Sequence, residues 1–457
     1  MSHPVAPSMV LKFPEKIGYA CGDMASNLYW RLFDLYLMLF YTDVFGIPAK
    51  AAGTIATVAI IFNAICDPAM GALADRTSTR FGKFRPYLLW GILPIISAGV
   101  LLVTVPDWNA DDKLIWAYGT YILMMLCYSF INVPYGSLLA VITSDGRQRT
   151  TLTSFRFFGA FAGGSIVAYL LPTLVKLFGN ANEQLGWQLT MLFFGILAGA
   201  LFLTSFLTTR ERIAPPVHQQ SSPVQDLKDL MHNPPWIVLF FLALIIMITI
   251  SMRATAGSYY VKYHLGRPDL LSYYNLTYMI SLAIGALATP FISRFFQKKT
   301  LLWMLMAAVG VLSIGFFFIP KDQIILIFIV NAAIGLVLGP KSPLVYSMYA
   351  DTADYTEWKL GRRATAMTFA AASFSQKIGA AIATAGLGFL MGALGYQANV
   401  IQTSASDMGI VMLLTVVPAI FAMIAALVIQ LYRLDAAQIE VMQRELAERK
   451  TAFQPTA

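Results

Sequence analysis

Roughly a dozen times along its 457 residues this chain runs apolar for about 20 residues, the length of helix that crosses the hydrocarbon core of a bilayer. Inside a bilayer each segment must satisfy its own backbone N–H and C=O groups, which leaves helices or closed barrels. Runs this long and continuous specify helices. The candidate spans lie at about 26–45, 51–74, 86–105, 114–142, 153–178, 187–209, 236–262, 270–296, 300–319, 323–349, 364–395 and 408–432. With 58% hydrophobic and only 12% charged residues, the chain is more apolar than a soluble domain of its length could bury. It is expected to be an all-α, multi-pass membrane protein of twelve transmembrane helices.

Lys and Arg are unevenly divided between alternate loops, and that bias sets orientation. One set of loops carries Arg76, Arg80, Lys83 and Arg85, then Arg147 and Arg149, Arg210, Arg212 and Lys228, Arg294, Lys298 and Lys299, and Lys359, Arg362 and Arg363. The other set holds only Lys50, Lys113, Lys176, Lys262, Arg267 and Lys321. Both termini are therefore expected in the cytoplasm. The net charge of +8 reflects this asymmetry; the bases are spread over short loops and form no single patch for nucleic acid. Met1 to Pro14 is polar and lacks the pattern of a cleavable signal, so the first span is expected to be retained. Cys21, Cys66 and Cys127 have no paired spacing, and His3, His218, His232 and His264 are scattered over tails and loops. Neither set suggests a disulfide, a metal site, a cofactor or a catalytic cluster.

The longest soluble connection, 210–233, follows the sixth span and contains Pro215, Pro216, Ser221, Ser222 and Pro223 before a short helical piece at 224–231. It divides the chain into an N-terminal bundle (1–209) and a C-terminal bundle (234–433), followed by a tail (434–457). Two six-span halves around a central cytoplasmic loop are the arrangement of transporters built from repeated bundles. The tail places Ile439, Met442 and Leu446 at helical spacing, either as an amphipathic helix on the membrane surface or as a solvated terminal helix.

A charge inside a span costs roughly 2.5 to 3.5 kcal/mol, so each one that persists is a functional candidate. In the second span Asn63 and Asp67 are four residues apart and share a helix face, and Pro68 frees a carbonyl one turn earlier. In the fourth, Tyr128 and Asn132 repeat that spacing, again next to a proline, Pro134. Together they suit a pocket for a proton or small cation; alternatively the two asparagines are interhelical hydrogen-bond partners. In the first span Asn27, Trp30, Arg31 and Asp34 form one stripe. The stripe is either an intrahelical Arg–Asp pair that makes insertion tolerable or a sugar-facing surface, with the indole as a stacking plate and the polar groups as hydroxyl partners. The other intramembrane charges are Arg156, Arg253, Lys341 and Lys377, against which Asp34 and Asp67 are the only acids well inside the spans. Some of these bases are expected to face a water-filled cavity or an anionic ligand, while Lys341 or Arg253 can snorkel to an interface.

Several ordered motifs resemble the glycoside, pentoside and hexuronide to cation symporter family (melibiose permease-like) of the major facilitator superfamily. They are KIGYACGD from Lys16 to Asp23, Tyr41 to Gly46, Asn63 to Gly71, RFGKFRP from Arg80 to Pro86, NVPYGSL from Asn132 to Leu138, Arg156-Phe157-Phe158, DTADYTE from Asp351 to Glu357, and Lys377, over about residues 14–433. The resemblance implies two bundles that alternate access to a sugar held between them, with a cation site between the second and fourth helices. Carried over residue by residue, the second helix's two acids fall on Asn63 and Asp67 and the fourth helix's acid on Asn132. Sodium wants several hard anionic oxygens, whereas a proton needs a single carboxyl. The departure favours a proton carried by Asp67, with Asn63 and Asn132 shaping its pocket. The family's galactoside-binding acid on helix 1 corresponds to Asn27 and its helix-4 tryptophan to Gly136, while its helix-5 arginine is kept as Arg156.

The expected substrate site is therefore Asn27, Trp30, Arg31, Asp34 and Arg156, with Lys377 bridging from the other half. The lost acids suit either an anionic glycoside or a neutral pentoside, and the balance leans to neutral or weakly acidic β-glycosides. The superfamily's loop pattern of glycine, acid and base implies a cytoplasmic gate of Asp75, Arg80, Arg85 and Arg147 against Asp351, Asp354, Glu357 and Arg363, though charge runs of this kind are also common as solvated faces. The expected protein is a monomeric sugar symporter of the bacterial inner membrane, coupled to a proton or alternatively to sodium. A channel would show repeated polar rings, and a membrane enzyme would need a catalytic cluster.

Overall fold

The computed structural model describes residues 11–143, 146–212, 223–361 and 365–452. Every helix or strand element among them is helical. Helix α1 (Phe13–Leu32) has Pro14 in its first turn, where the missing N–H costs nothing. It continues through π turns at Phe33–Leu37 and Tyr41–Phe45 and stops at Gly46, whose φ of 83° suits a residue with no side chain. There follow α2 (Ala49–Arg76), α3 (Arg85–Trp90), α4 (Ile92–Leu102), α5 (Ala110–Ile142), α6 (Gly146–Gly179) and α7 (Glu183–Thr208). Asn109 and Asn182 cap α5 and α7, their side-chain oxygens accepting from Asp112 N and Leu185 N at 2.9 and 3.1 Å. After them come α8 (Pro223–Met231), α9 (Pro234–Tyr259), α10 (Leu271–Ile292), α11 (Lys298–Phe317) and α12 (Ile324–Leu338). The chain closes with α13 (Lys341–Leu360), α14 (Thr365–Ala393), α15 (Ser404–Leu414), α16 (Val416–Val428) and α17 (Ala436–Ala452).

Among the described residues nine helical stretches are long and apolar enough to cross a membrane. Three expected spans fall outside that set. The first, α1, carries Asp23, Arg31 and Asp34; the third divides at Gly91, leaving Ile92–Leu102 as a shorter apolar helix; and α14 is rich in Ala, Gly, Ser and Thr. The expected second and fourth spans run unbroken through Pro68 and Pro134.

The chain divides into two compact units, one of residues 1–217 with 269–279 and 397–400, the other of 218–268 with 280–396 and 401–457. In the first unit α1 packs against α6 and α7, and α2 against α5. The α1–α6 approach is close because small residues leave room: a side chain at Gly159 would collide with the Ala20 carbonyl, and one at Gly163 with that of Met24.

In the second unit α9 packs against α14 and α16. It carries Arg253, which does not snorkel but is 3% exposed. The reason is a proline on another helix. Pro418 has no N–H to give the Leu414 carbonyl, and Arg253 Nη1 donates to that oxygen at 3.1 Å. Its Nη2 donates to Asn331 Oδ1 at 3.3 Å, and the guanidinium lies 5.5 Å from the Phe316 ring centre. The tail helix α17 also departs from expectation. Met442 and Leu446 are buried, and Trp358 Nε1 of α13 donates to Glu445 at 2.6 Å, so the tail docks on its own unit.

Candidate functional site

The α2–α5 contact brings Asn63 and Asp67 together through a residue that does not stand out in the sequence. Asn63 is fully buried, and its Nδ2 donates to Ser129 Oγ at 2.6 Å and to Met125 O at 3.3 Å. Ser129 Oγ in turn donates to Asp67 Oδ1 at 2.7 Å. One amide hydrogen and the Ser129 hydroxyl hydrogen therefore run in sequence towards the carboxylate, while the other amide hydrogen goes to the Met125 carbonyl. Asn63 Oδ1 is buried and accepts no hydrogen bond among the described residues, a cost that interiors seldom leave uncompensated. Asn132, one turn beyond Ser129 on α5, is half-buried and outside the relay. The face of α5 is the expected one, since Ser129 and Asn132 are three apart. A serine within an apolar helix usually bonds back to its own backbone, so its role is visible only once α2 is placed.

The stripe on α1 is open as a whole. Asn27, Trp30, Arg31 and Asp34 are all half-buried, whereas Leu28, Tyr29, Leu32 and Leu35 are buried. Arg31 Nη1 pairs with Asp34 Oδ2 at 2.9 Å, and Asn27 Nδ2 donates to the Asp23 carbonyl at 2.9 Å. The Trp30 ring lies 5.7 Å from Tyr128 and 6.4 Å from Phe33. Tyr128 is the neighbour of Ser129 on α5, so the aromatic plate and the Asp67 relay meet on consecutive residues.

Arg156, on α6, does not stand alone. Its Nε lies 3.3 Å from Asp23 Oδ1, and its guanidinium sits 5.4 Å from the Tyr135 ring centre. Tyr135 stacks on Tyr19 at 4.9 Å and donates to the Tyr19 carbonyl at 2.6 Å. Asp23, which precedes the expected first span at 26–45, is thus a buried acid, 7% exposed. Helix α1 begins at Phe13, well before the first apolar run, and this carries Asp23 into the packed region. Lys377 and Lys341 belong to the second unit, on α14 and α13, and both are half-buried.

Of the expected gate residues, the side chains of Asp75 and Arg147 and the whole of Arg363 lie outside the described residues. Arg80 stacks on Phe81 at 4.6 Å. Arg85 donates from Nη2 to Phe206 O at 2.6 Å and covers the Phe206 ring at 4.8 Å. Asp351 pairs with Lys298 at 2.7 Å, and Asp354 and Glu357 follow on the same helix. A residue not expected, Glu211, organises this end of the first unit: it accepts from Lys83 N, Phe84 N and Arg85 N at 2.8, 2.8 and 2.9 Å and so caps α3. Beside it Arg212 forks onto Glu15, with Nη2 to Oε2 at 2.9 Å, and this hydrogen bond holds the guanidinium above its ordinary pKa. Glu211→Ala leaves three backbone donors without their acceptor. We expect it to destabilise the purified protein by about 2 kcal/mol, read as a lowered melting temperature in detergent, with Glu211→Gln intermediate.

A family model described as MFS/sugar transport protein matches residues 18–436. The chain is 38% identical over 451 residues to "Inner membrane symporter YicJ" of Escherichia coli (strain K12), covering 98% of this chain and 97% of that one. It is 34% identical over 434 residues to "Isoprimeverose transporter" of Lactiplantibacillus pentosus, covering 93% and 90%. Among solved structures, the nucleoside transporter NupG superposes with a TM-score of 0.68 at 9% identity, over 92% of this chain and 100% of that one, a likeness of fold alone.

Proposed function

The chain belongs to the MFS/sugar transport protein family, and from that membership we propose that it imports a glycoside together with a proton by alternating access. It is a membrane-embedded sugar transporter and not an enzyme. In this reading twelve helices form two six-helix bundles in the bacterial inner membrane, with both termini in the cytoplasm, and the monomer is the working unit. The name of the 38% identical relative, an inner membrane symporter, supports the location and the transport mode.

The observation that carries the reading is the relay from Asn63 through Ser129 to Asp67, set against the Trp30–Tyr128 pair. Asp67 is the group that gains and loses the coupling proton. One carboxylate, one hydroxyl and one amide make a poor cage for a hard cation that prefers six or more oxygens, yet they suffice to orient one carboxyl. Sugar stacks on Trp30 and hydrogen-bonds to Asn27 and to the Arg31 and Arg156 guanidinium groups. Because Tyr128 and Ser129 are consecutive on α5, a shift of Trp30 against occupied sugar moves the residue next to the Asp67 donor. This is the physical link between substrate and proton.

The test is made with purified protein in proteoliposomes. An inward proton gradient should drive accumulation of a nitrophenyl glycoside, and a sodium gradient at equal pH should not. Accumulation driven by sodium alone would replace the proton with sodium as the coupling ion.

A further inference from the structure

The first unit carries a groove on the flank of α5, well away from the Asp67 relay. Along α5, Asp112, Ile115, Trp116 and Leu123 fall at i, i+3, i+4 and i+11 and so share one helix face. With Leu101 from the end of α4 and Trp108 from the loop between the two helices, they line a cavity of about 570 Å³. It is open to its surroundings: Ile115 is 69% exposed and Trp108 52%, although both are apolar. Its walls are nevertheless fixed. Trp116 Nε1 donates to the Thr104 carbonyl at 3.0 Å, and Trp108 meets that indole edge-on at 5.4 Å. The groove lies on a helix long and apolar enough to cross a membrane, so its contents are apolar. Its run from Asp112 to Leu123 is about 16 Å of helix. That is half of a hydrocarbon core about 30 Å thick, the depth of one leaflet.

The end of the groove is acidic. Asp112 is exposed there, and Asn109 Nδ2 donates to its Oδ2 at 2.7 Å, which steers the carboxylate. Asp107 and Asp111 lie close by in sequence against a single base, Lys113, so 103–113 holds three acids to one base, a net charge of −2. Acids in the first turn of a helix are ordinary and alone mark nothing. Here one of them stands where an apolar chain lying in the groove places its polar end. We propose that the groove holds one phospholipid with a primary ammonium headgroup, phosphatidylethanolamine, with an acyl chain along Ile115, Trp116 and Leu123 and the ammonium on Asp112. A carboxylate accepts charge-assisted hydrogen bonds from an ammonium. A trimethylated choline headgroup has no N–H to give, and the acids repel a net anionic phosphatidylglycerol. The two indoles sit between chain and headgroup, the depth that aromatic side chains favour. A second copy of the chain docked here about a two-fold axis would set the same acids against one another. The charge therefore selects a cationic headgroup over self-association. The site is independent of which sugar and which ion are carried.

The test uses the full-length protein in detergent, mixed with equimolar dioleoyl phosphatidylethanolamine and phosphatidylglycerol. Native mass spectrometry reads which lipid stays bound and in what ratio. The parent should retain one ethanolamine lipid in preference to the glycerol one. Asp112→Asn keeps an oxygen for Asn109 but loses the charge, and should lower the ethanolamine-to-glycerol ratio about fivefold. Asp112→Lys should invert the ratio. Asp322→Lys, at an exposed acid in the loop before α12, should leave it at the parent value. Trp108→Ala removes one wall of the groove and should cut the total lipid retained. Because Trp108 is an exposed loop residue, this variant tests the groove even if an Asp112 variant fails to fold. The proposal is overturned by equal retention of the two lipids in the parent, by an Asp112→Lys ratio no different from that of Asp322→Lys, or by undiminished lipid in Trp108→Ala. A parent dimer that Trp108→Ala dissolves would assign the groove to a second copy and overturn it as well.

Discussion

Asp67→Asn is expected to bind its glycoside within a few-fold of the parent protein and to accumulate none of it against a gradient. The substitution is close to isosteric, and the structure shows why it should be tolerated. Ser129 Oγ donates to Asp67 Oδ1, and an amide oxygen in the same place accepts that bond equally well. The relay from Asn63 is kept, α2 stays packed on α5, and the titratable group is lost. In the parent, one proton moving down about one pH unit supplies about 1.4 kcal/mol, enough to concentrate a neutral sugar about tenfold if one proton travels with each molecule. In the variant that ratio should fall to one. Facilitated equilibration of sugar, by contrast, needs no proton and should persist. Internal pH, followed with a trapped dye while sugar is added, should rise in parent vesicles and stay flat in the variant. Parent-level accumulation by Asp67→Asn would refute Asp67 as the proton carrier, and a matching melting temperature would show that the comparison is between folded proteins.

How much of this was readable from the chain depends on whether the signal is local. The α1 stripe was legible because a 3.6-residue period is written into spacing: Asn27, Trp30, Arg31 and Asp34 share one face whatever surrounds them, and the Arg31–Asp34 pair is a neighbour contact along the helix. The carboxylate in the second span was legible because an acid in apolar surroundings is costly. What was not legible depends on a partner far along the chain. Asp23 sits where a helix end would ordinarily be in water, and only the position of α6 shows that Arg156 buries it. Ser129 has an ordinary residue type in an ordinary place until Asn63 and Asp67 arrive from α2. Arg253 looks like a functional charge when read alone. It becomes structural once Pro418, on another helix, is seen to leave the Leu414 carbonyl without its usual donor. The tail helix shows the same limit: its apolar stripe was visible, but whether it met lipid or protein was decided by Trp358.

The second large effect is expected at Gly163, where packing and function converge. Gly159 and Gly163 of α6 lie one turn apart and face the carbonyls of Ala20 and Met24, one turn apart on α1; a Cβ added at Gly163 would come to 2.5 Å from the Met24 oxygen. The atom in the way is backbone, so no side-chain rotation relieves the overlap and the helices must separate. Gly163→Leu should therefore cost about 3 kcal/mol or more, at or above the upper end for overpacked cores, and Gly163→Ala about 1 kcal/mol, since its gain in helix propensity offsets part of the clash. Transport should fail before folding does. A separation of even 1 Å at Gly159 and Gly163 widens the 3.3 Å Arg156–Asp23 contact, so the alanine variant should stay folded in detergent and yet take up glycoside much more slowly than the parent. Gly119 of α5 supplies the control, because nothing lies within 4 Å of a Cβ placed there. Gly119→Ala should leave transport unchanged and add the few tenths to about 1 kcal/mol of stability that alanine gains over glycine in a helix, read as a slightly higher melting temperature. If Gly163→Ala and Gly119→Ala moved stability and glycoside uptake alike, the α1–α6 contact would not be what holds Asp23 against Arg156.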